Sequence, residues 1–85
     1  MEKFRVSFKQ SAIKQLRSFP TDTQQRILTS INSRLAGTPH IADGKHIKKL
    51  LEGYRLRVGN YRIFYYIQFK EVILTSIVRR TSTTY

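Results

Sequence analysis

Apolar and polar positions alternate at the start of the chain. In KFRVSF, Phe4, Val6 and Phe8 share one side and Arg5 and Ser7 the other, which predicts a first strand with one buried face. The period then lengthens. Ala12, Ile13 and Leu16 fall on one side of a short helix over residues 9–18. Phe19-Pro20 ends it, because a proline disfavours helical geometry at the residue before it. A second helix follows. Thr21 and Gln24 have capping-box spacing, and Ile27, Leu28, Ile31 and Leu35 form an apolar stripe. Gly37 suits the residue just past its end, and Pro39 stops any continuation. The two helices are expected to form a hairpin laid on the sheet.

Residues 37–49 carry no clear period. They contain His40, the turn signal Asp43-Gly44 and the basic run KHIKK, and read as a loop or a loop with a helical turn. Leu50, Leu51 and Gly53 lead into the sheet. Residues 54–58 and 61–67 read as a hairpin around Gly59-Asn60, and residues 72–78 as a further strand after a turn at Phe69-Lys70. The expected fold is α+β: β-α-α-β-β-β, an antiparallel meander with the N-terminal helix hairpin packed on one face. The length of 85 residues allows one domain over 1–85 with one modest core.

A two-residue loop at Gly59-Asn60 fixes the parity of the hairpin. Val58 then opposes Tyr61, Arg57 opposes Arg62, Leu56 opposes Ile63 and Arg55 opposes Phe64. Opposed residues share a face. Tyr54, Leu56, Val58, Tyr61, Ile63, Tyr65 and Ile67 make the core face. Arg55, Arg57, Arg62, Phe64 and Tyr66 make the other. If Gln68 opposes Glu71 in the next hairpin, Arg79 extends the face of Arg62. Directly opposed like charges destabilise a sheet, and no acid occurs on either strand. Cations interleaved with aromatics suit phosphates and stacked bases. The same residues also fit a solvated surface or a partner protein's docking face.

Charge sharpens this reading. Lysine and arginine total 16 against five acids, a net +11. Residues 1–44 carry net +4 and residues 45–85 net +7, so the excess is uneven and points to an anionic partner. Lys45, Lys48 and Lys49 suit an outlying backbone-contact patch, and Arg80 a further one. Cysteine is absent, which excludes disulfides, thiolate catalysis and cysteine-ligated zinc. His40 and His46 have no acidic companions at ligand spacing, and the dispersed acids offer no carboxylate pair. No metal or cofactor is expected. The N-terminus lacks the apolar core of a signal peptide, and no segment approaches the about 20 apolar residues that span a bilayer. A cytoplasmic location is expected, with no membrane partner.

The stretch KKLLEGYRLRVGNYRIFYYI, followed by VILTSIVRR and a tyrosine, resembles the RelE/ParE toxin superfamily of toxin–antitoxin systems. The resemblance is densest over Lys48–Ile67 and extends over essentially the whole chain. It implies an antiparallel sheet beside two N-terminal helices and a neutralising antitoxin, for which Phe64, Tyr66 and Ile73 would present an apolar surface. The RelE-like branch cuts messenger RNA in the ribosomal A site without a metal, through attack of the ribose 2′-OH on the adjacent phosphate. The ParE-like branch poisons DNA gyrase. On the RelE-like reading, which is favoured here, Arg55 and Arg57 occupy two basic strand positions that are often lysine. Arg62 matches the scissile-phosphate contact. Arg79, with Arg80 as the alternative, matches a late arginine. Tyr85 resembles a C-terminal tyrosine that stacks or moves a proton. Val78 stands where many relatives carry histidine. The alternatives are gyrase inhibition and an inactive module that binds RNA or an acidic protein.

Overall fold

A computed structural model of the chain describes residues 4–35 and 47–79. Their order is β1 (Arg5–Phe8), α1 (Gln10–Arg17), α2 (Thr21–Leu35), β2 (Ile47–Leu50), β3 (Gly53–Val58), β4 (Tyr61–Gln68) and β5 (Glu71–Arg79). All five strands join one sheet in the order β1-β5-β4-β3-β2. Strands β2 to β5 form an antiparallel meander, and β1 lies parallel to β5, with Arg5 across from Glu71 and Phe8 across from Leu74. The α+β class and the helix pair between the first strand and the meander agree with expectation.

Strand β2 is additional to the expected elements. Its four residues, IKKL, pair with β3 from Ile47↔Leu56 to Leu50↔Gly53. Ile47 enters the core while both lysines stay exposed. A short lysine-bearing strand is a common way to blunt a sheet edge. The basic run hides its alternation in the sequence.

The core forms where the helices meet one sheet face. Ala12 from α1 and Ile27, Ile31 and Leu35 from α2 pack with Ile47, Leu56, Val58, Ile63, Tyr65, Val72, Leu74 and Ile77. Phe4, Val6 and Phe8 lie partly buried against this cluster, as their alternation predicts. Leu28 does not join it and is 41% exposed. Positions 27, 31 and 35 already fill the inward stripe, and residue 28 lies a further turn of about 100° round the helix. Tyr54 stacks on Tyr65 with ring centroids 5.5 Å apart, and Phe19 meets Tyr61 at 4.9 Å.

The start of α2 also departs from the expected capping box. Thr21 is already helical. The Pro20 carbonyl accepts the first helical bond from the Gln24 N–H at 2.9 Å, and the Gln24 side-chain amide donates to the Phe19 carbonyl at 2.8 Å. Gln24 therefore ties the helix to the inter-helix turn. Gly37, Pro39, His40, Asp43, Gly44 and His46 lie outside the described residues.

Gly53 sits where β3 leaves the β2–β3 turn. Its φ is +146°, and a Cβ there would stand 2.6 Å from the Tyr65 carbonyl oxygen. Only glycine permits both that backbone angle and that approach. Among the described residues, no helix is long and apolar enough to cross a membrane.

Candidate nucleic-acid interface

The first hairpin has the register that its turn predicts. Val58 pairs with Tyr61, Arg57 with Arg62, Leu56 with Ile63, Arg55 with Phe64 and Tyr54 with Tyr65. Leu56, Ile63 and Tyr65 are buried under the helices, so Arg55, Arg57, Arg62, Phe64 and Tyr66 belong to the opposite, outer face. Arg57 is exposed, and Arg55, Arg62, Phe64 and Tyr66 are half-buried.

Strand β2 enlarges this face. Lys48 pairs with Arg55, so one row across the sheet reads Lys48, Arg55, Phe64, Ser76. The adjacent row reads Arg57, Arg62, Val78. Two directly opposed like-charge pairs thus stand side by side, with Cβ atoms of each pair about 4.5–5.5 Å apart. Such a surface is costly alone and becomes favourable when an anion settles between the charges. Lys49 pairs with Tyr54 and has the helix-side parity, so it does not join the cluster.

Among the described residues, Glu52 of the β2–β3 turn lines a pocket with Phe64 and Tyr66, and Glu71 lies at the far end of the outer face. Glu71 accepts a hydrogen bond from the Ser7 hydroxyl and pairs across the sheet with Gln68 and Arg5. Gln68 lies six residues along β4 from Arg62, a span of about 20 Å. Exposed charges interact weakly beyond about 10 Å at ordinary ionic strength. Glu71 therefore does not compensate the Arg57–Arg62 pair.

Arg79 requires a correction. The pairing Gln68↔Glu71 holds, but the ladder shifts between Phe64 and Tyr65, so that Tyr65 opposes Leu74 and Phe64 opposes Ser76. Thr75 is the extra residue of a β-bulge, which reverses the parity of everything after it. Val78 now stands across from Arg62, and Arg79 across from Tyr61, in the phase of the helix side. Helix α1 holds the bulge. The Ser11 hydroxyl donates to the Thr75 carbonyl at 2.6 Å, and the Ile77 N–H donates to the Gln15 side-chain oxygen at 2.6 Å. These are backbone groups that a regular ladder would satisfy. Ser11 and Gln15 lie four apart on one face of α1, and that spacing is the sequence signal for the contact.

Ile73, expected as an exposed apolar contact, is 9% exposed and buried beside Tyr66 and Ser7. Lys45, Arg80 and Tyr85 lie outside the described residues. The described residues hold no group of three or more metal-ligating side chains.

A family model for "ParE toxin of type II toxin-antitoxin system, parDE" matches residues 6–85. No curated protein sequence matches the chain. Among solved structures, a chain of the archaeal RelE–RelB complex from Pyrococcus horikoshii is similar at 26% identity and TM-score 0.77, covering 98% of this chain and all of that one. A chain of the RelBE2 toxin–antitoxin complex from Mycobacterium tuberculosis is similar at 20% identity and TM-score 0.74, covering 92% and 99%. A chain of the chromosomal ParDE system of P. aeruginosa is similar at 10% identity and TM-score 0.75, covering 95% and 100%. The last two likenesses concern the fold alone.

Proposed function

The chain belongs to the ParE toxin family of type II toxin–antitoxin systems, within the RelE/ParE superfamily, and from that premise we propose that it is a ribosome-dependent endoribonuclease that cleaves messenger RNA. The observation that carries the reading is the adjacent pairing of Lys48 with Arg55 and Arg57 with Arg62 on the helix-free face. In the proposed reaction the ribose 2′-oxygen bonds to phosphorus. The bond from phosphorus to the 5′-oxygen breaks, and that oxygen takes up a proton. Products are a 2′,3′-cyclic phosphate and a 5′-hydroxyl.

Charge builds on the phosphate oxygens as this proceeds. Arg62 and Arg57 are assigned to hold the phosphate and stabilise that charge, with Arg55 and Lys48 adding to the field. The half-buried rings of Phe64 and Tyr66 provide stacking surfaces for neighbouring bases. Arginine stays protonated at neutral pH and cannot accept the 2′-OH proton, so proton transfer is assigned to Tyr85, the ribosome or the substrate. Arg79 is assigned no part in holding the phosphate, because the bulge at Thr75 takes it out of the Arg62 phase. The partner in the resting state is a cognate antitoxin, as in the RelE–RelB complexes that the fold resembles. The setting is the cytoplasm, where the ribosomal target resides.

Inhibition of DNA gyrase is the second reading, favoured by the ParE family match and by Val78 across from Arg62. One experiment separates the two. Expression of the wild type should give codon-positioned cuts in mapped messenger RNA 5′ ends, and Arg62→Ala should abolish them. Gyrase-linked DNA breaks without RNA cuts would move the assignment to gyrase.

A further inference from the structure

Helix α2 turns a second set of polar residues toward the corner of the sheet at the β3–β4 turn. Asp22, Arg26, Ser30 and Arg34 recur every four residues and line one side of the helix. They form one wall of a groove of about 670 Å³, whose other wall is Arg57, Val58 and Gly59. Among the described residues, β2 pairs with β3 only as far as Leu56, so no described strand lies beside Arg57 and Val58 on that side. Arg26 leans over the β3–β4 turn. Its Nη2 lies 3.1 Å from the place a Cβ on Gly59 would take, and Gly59 has a φ of +58°.

The lining decides the kind of occupant. Three guanidinium groups face one carboxylate, and the rest of the helix wall supplies hydroxyl and amide groups. Among the described lining residues Val58 is the only large apolar one, and it is buried. An amphipathic protein helix would need a stripe of apolar anchors that the described lining lacks. Arg26 and Arg34 stand about 12 Å apart along the helix axis, which sets them over different phosphates of one strand. Arg57 belongs both to this groove and to the pair with Arg62 on the outer face.

We propose that the groove carries the phosphodiester backbone of the single-stranded messenger RNA, continuing the strand whose scissile phosphate lies at Arg57 and Arg62. This rests on the RNA reading of the outer face, and its test reads affinity, not cleavage. The probes are 2′-O-methyl oligonucleotides, which cannot undergo 2′-attack, of about three and about ten nucleotides. Binding is followed by fluorescence anisotropy across a salt series. R26A/R34A should weaken the longer probe several-fold and lower its logarithmic salt slope by about 1.4, the value for two lost phosphate contacts on a single strand. The shorter probe, reaching only the outer face, should bind R26A/R34A as it binds the wild type. Asp22→Asn should tighten the longer probe.

The control K14A/R17A removes the same charge from α1, away from the groove, and should change the slope less. Equal losses in the two double variants would reduce the effect to overall charge and overturn the proposal. So would an unchanged slope in R26A/R34A, or no binding of either probe by the wild type. Loss of an acidic partner protein with RNA affinity intact would reassign the groove. The expected anisotropy without cuts in cells would remove the nuclease reading and leave the groove standing as an RNA site.

Discussion

Along β3 and β4, alternate residues go to the helix side and to the open side, and the two sets share little chemistry. The helix side receives Leu56, Val58, Ile63 and Tyr65, all buried. The open side receives Arg55, Arg57, Arg62, Phe64 and Tyr66. The first set stabilises the fold through removal of apolar surface from water. The second works against the fold through directly opposed like charges. The buried set offsets the cost of the second, and the proposed RNA reading gives that cost a use.

The contrast can be broken most directly from the buried side. Ile63 has no exposed surface, and Ile63→Ala should cost about 2–5 kcal/mol in urea denaturation. A loss under about 1 kcal/mol would show that the helix face does not carry the stability assigned to it. Next in size is Gln15→Ala. It strips the acceptor from the Ile77 N–H and should cost about 1–3 kcal/mol, with faster amide exchange at Ile77. Unchanged exchange there would mean that α1 does not hold the bulge. The smallest effect sharpens the contrast from the open side. Arg57→Glu converts a like-charge pair into an opposite-charge pair and should raise stability by about 0.2–1 kcal/mol. The same variant should lose most of its RNA affinity at low salt. A destabilised Arg57→Glu would show that the pair is not repulsive in the free protein.

The first hairpin was legible in the sequence because Gly59-Asn60 fixes both loop length and register, and the charged residues mark one parity without ambiguity. The second was not. Val72, Ile73 and Leu74 are all buried, so a continuous apolar run carries no phase. Within β5 the trace of the bulge is the three-residue step from Leu74 to Ile77, the next buried position. Simple alternation along β5 therefore puts Arg79 on the wrong face. Strand β2 is not legible in the sequence, because its exposed lysines look like the rest of a basic loop. Lys48 was consequently expected in an outlying patch, whereas pairing with Arg55 brings it into the main cluster. The groove beside α2 depends on where a helix lies over a strand end, which periodicity alone does not specify.

The position of β5 bears on how the molecule comes into being. It pairs with β1 on one side and β4 on the other, and its parallel partner is the first strand of the chain. A three-stranded β2–β4 fragment would keep one long edge unsatisfied, and the N-terminal strand would have nowhere to go. Closure of the sheet therefore waits for the last described strand to be translated, a non-local step that slows folding. The folded sheet, and with it the basic face that β3 and β4 present, thus comes into being only after β5 has joined both of its neighbours.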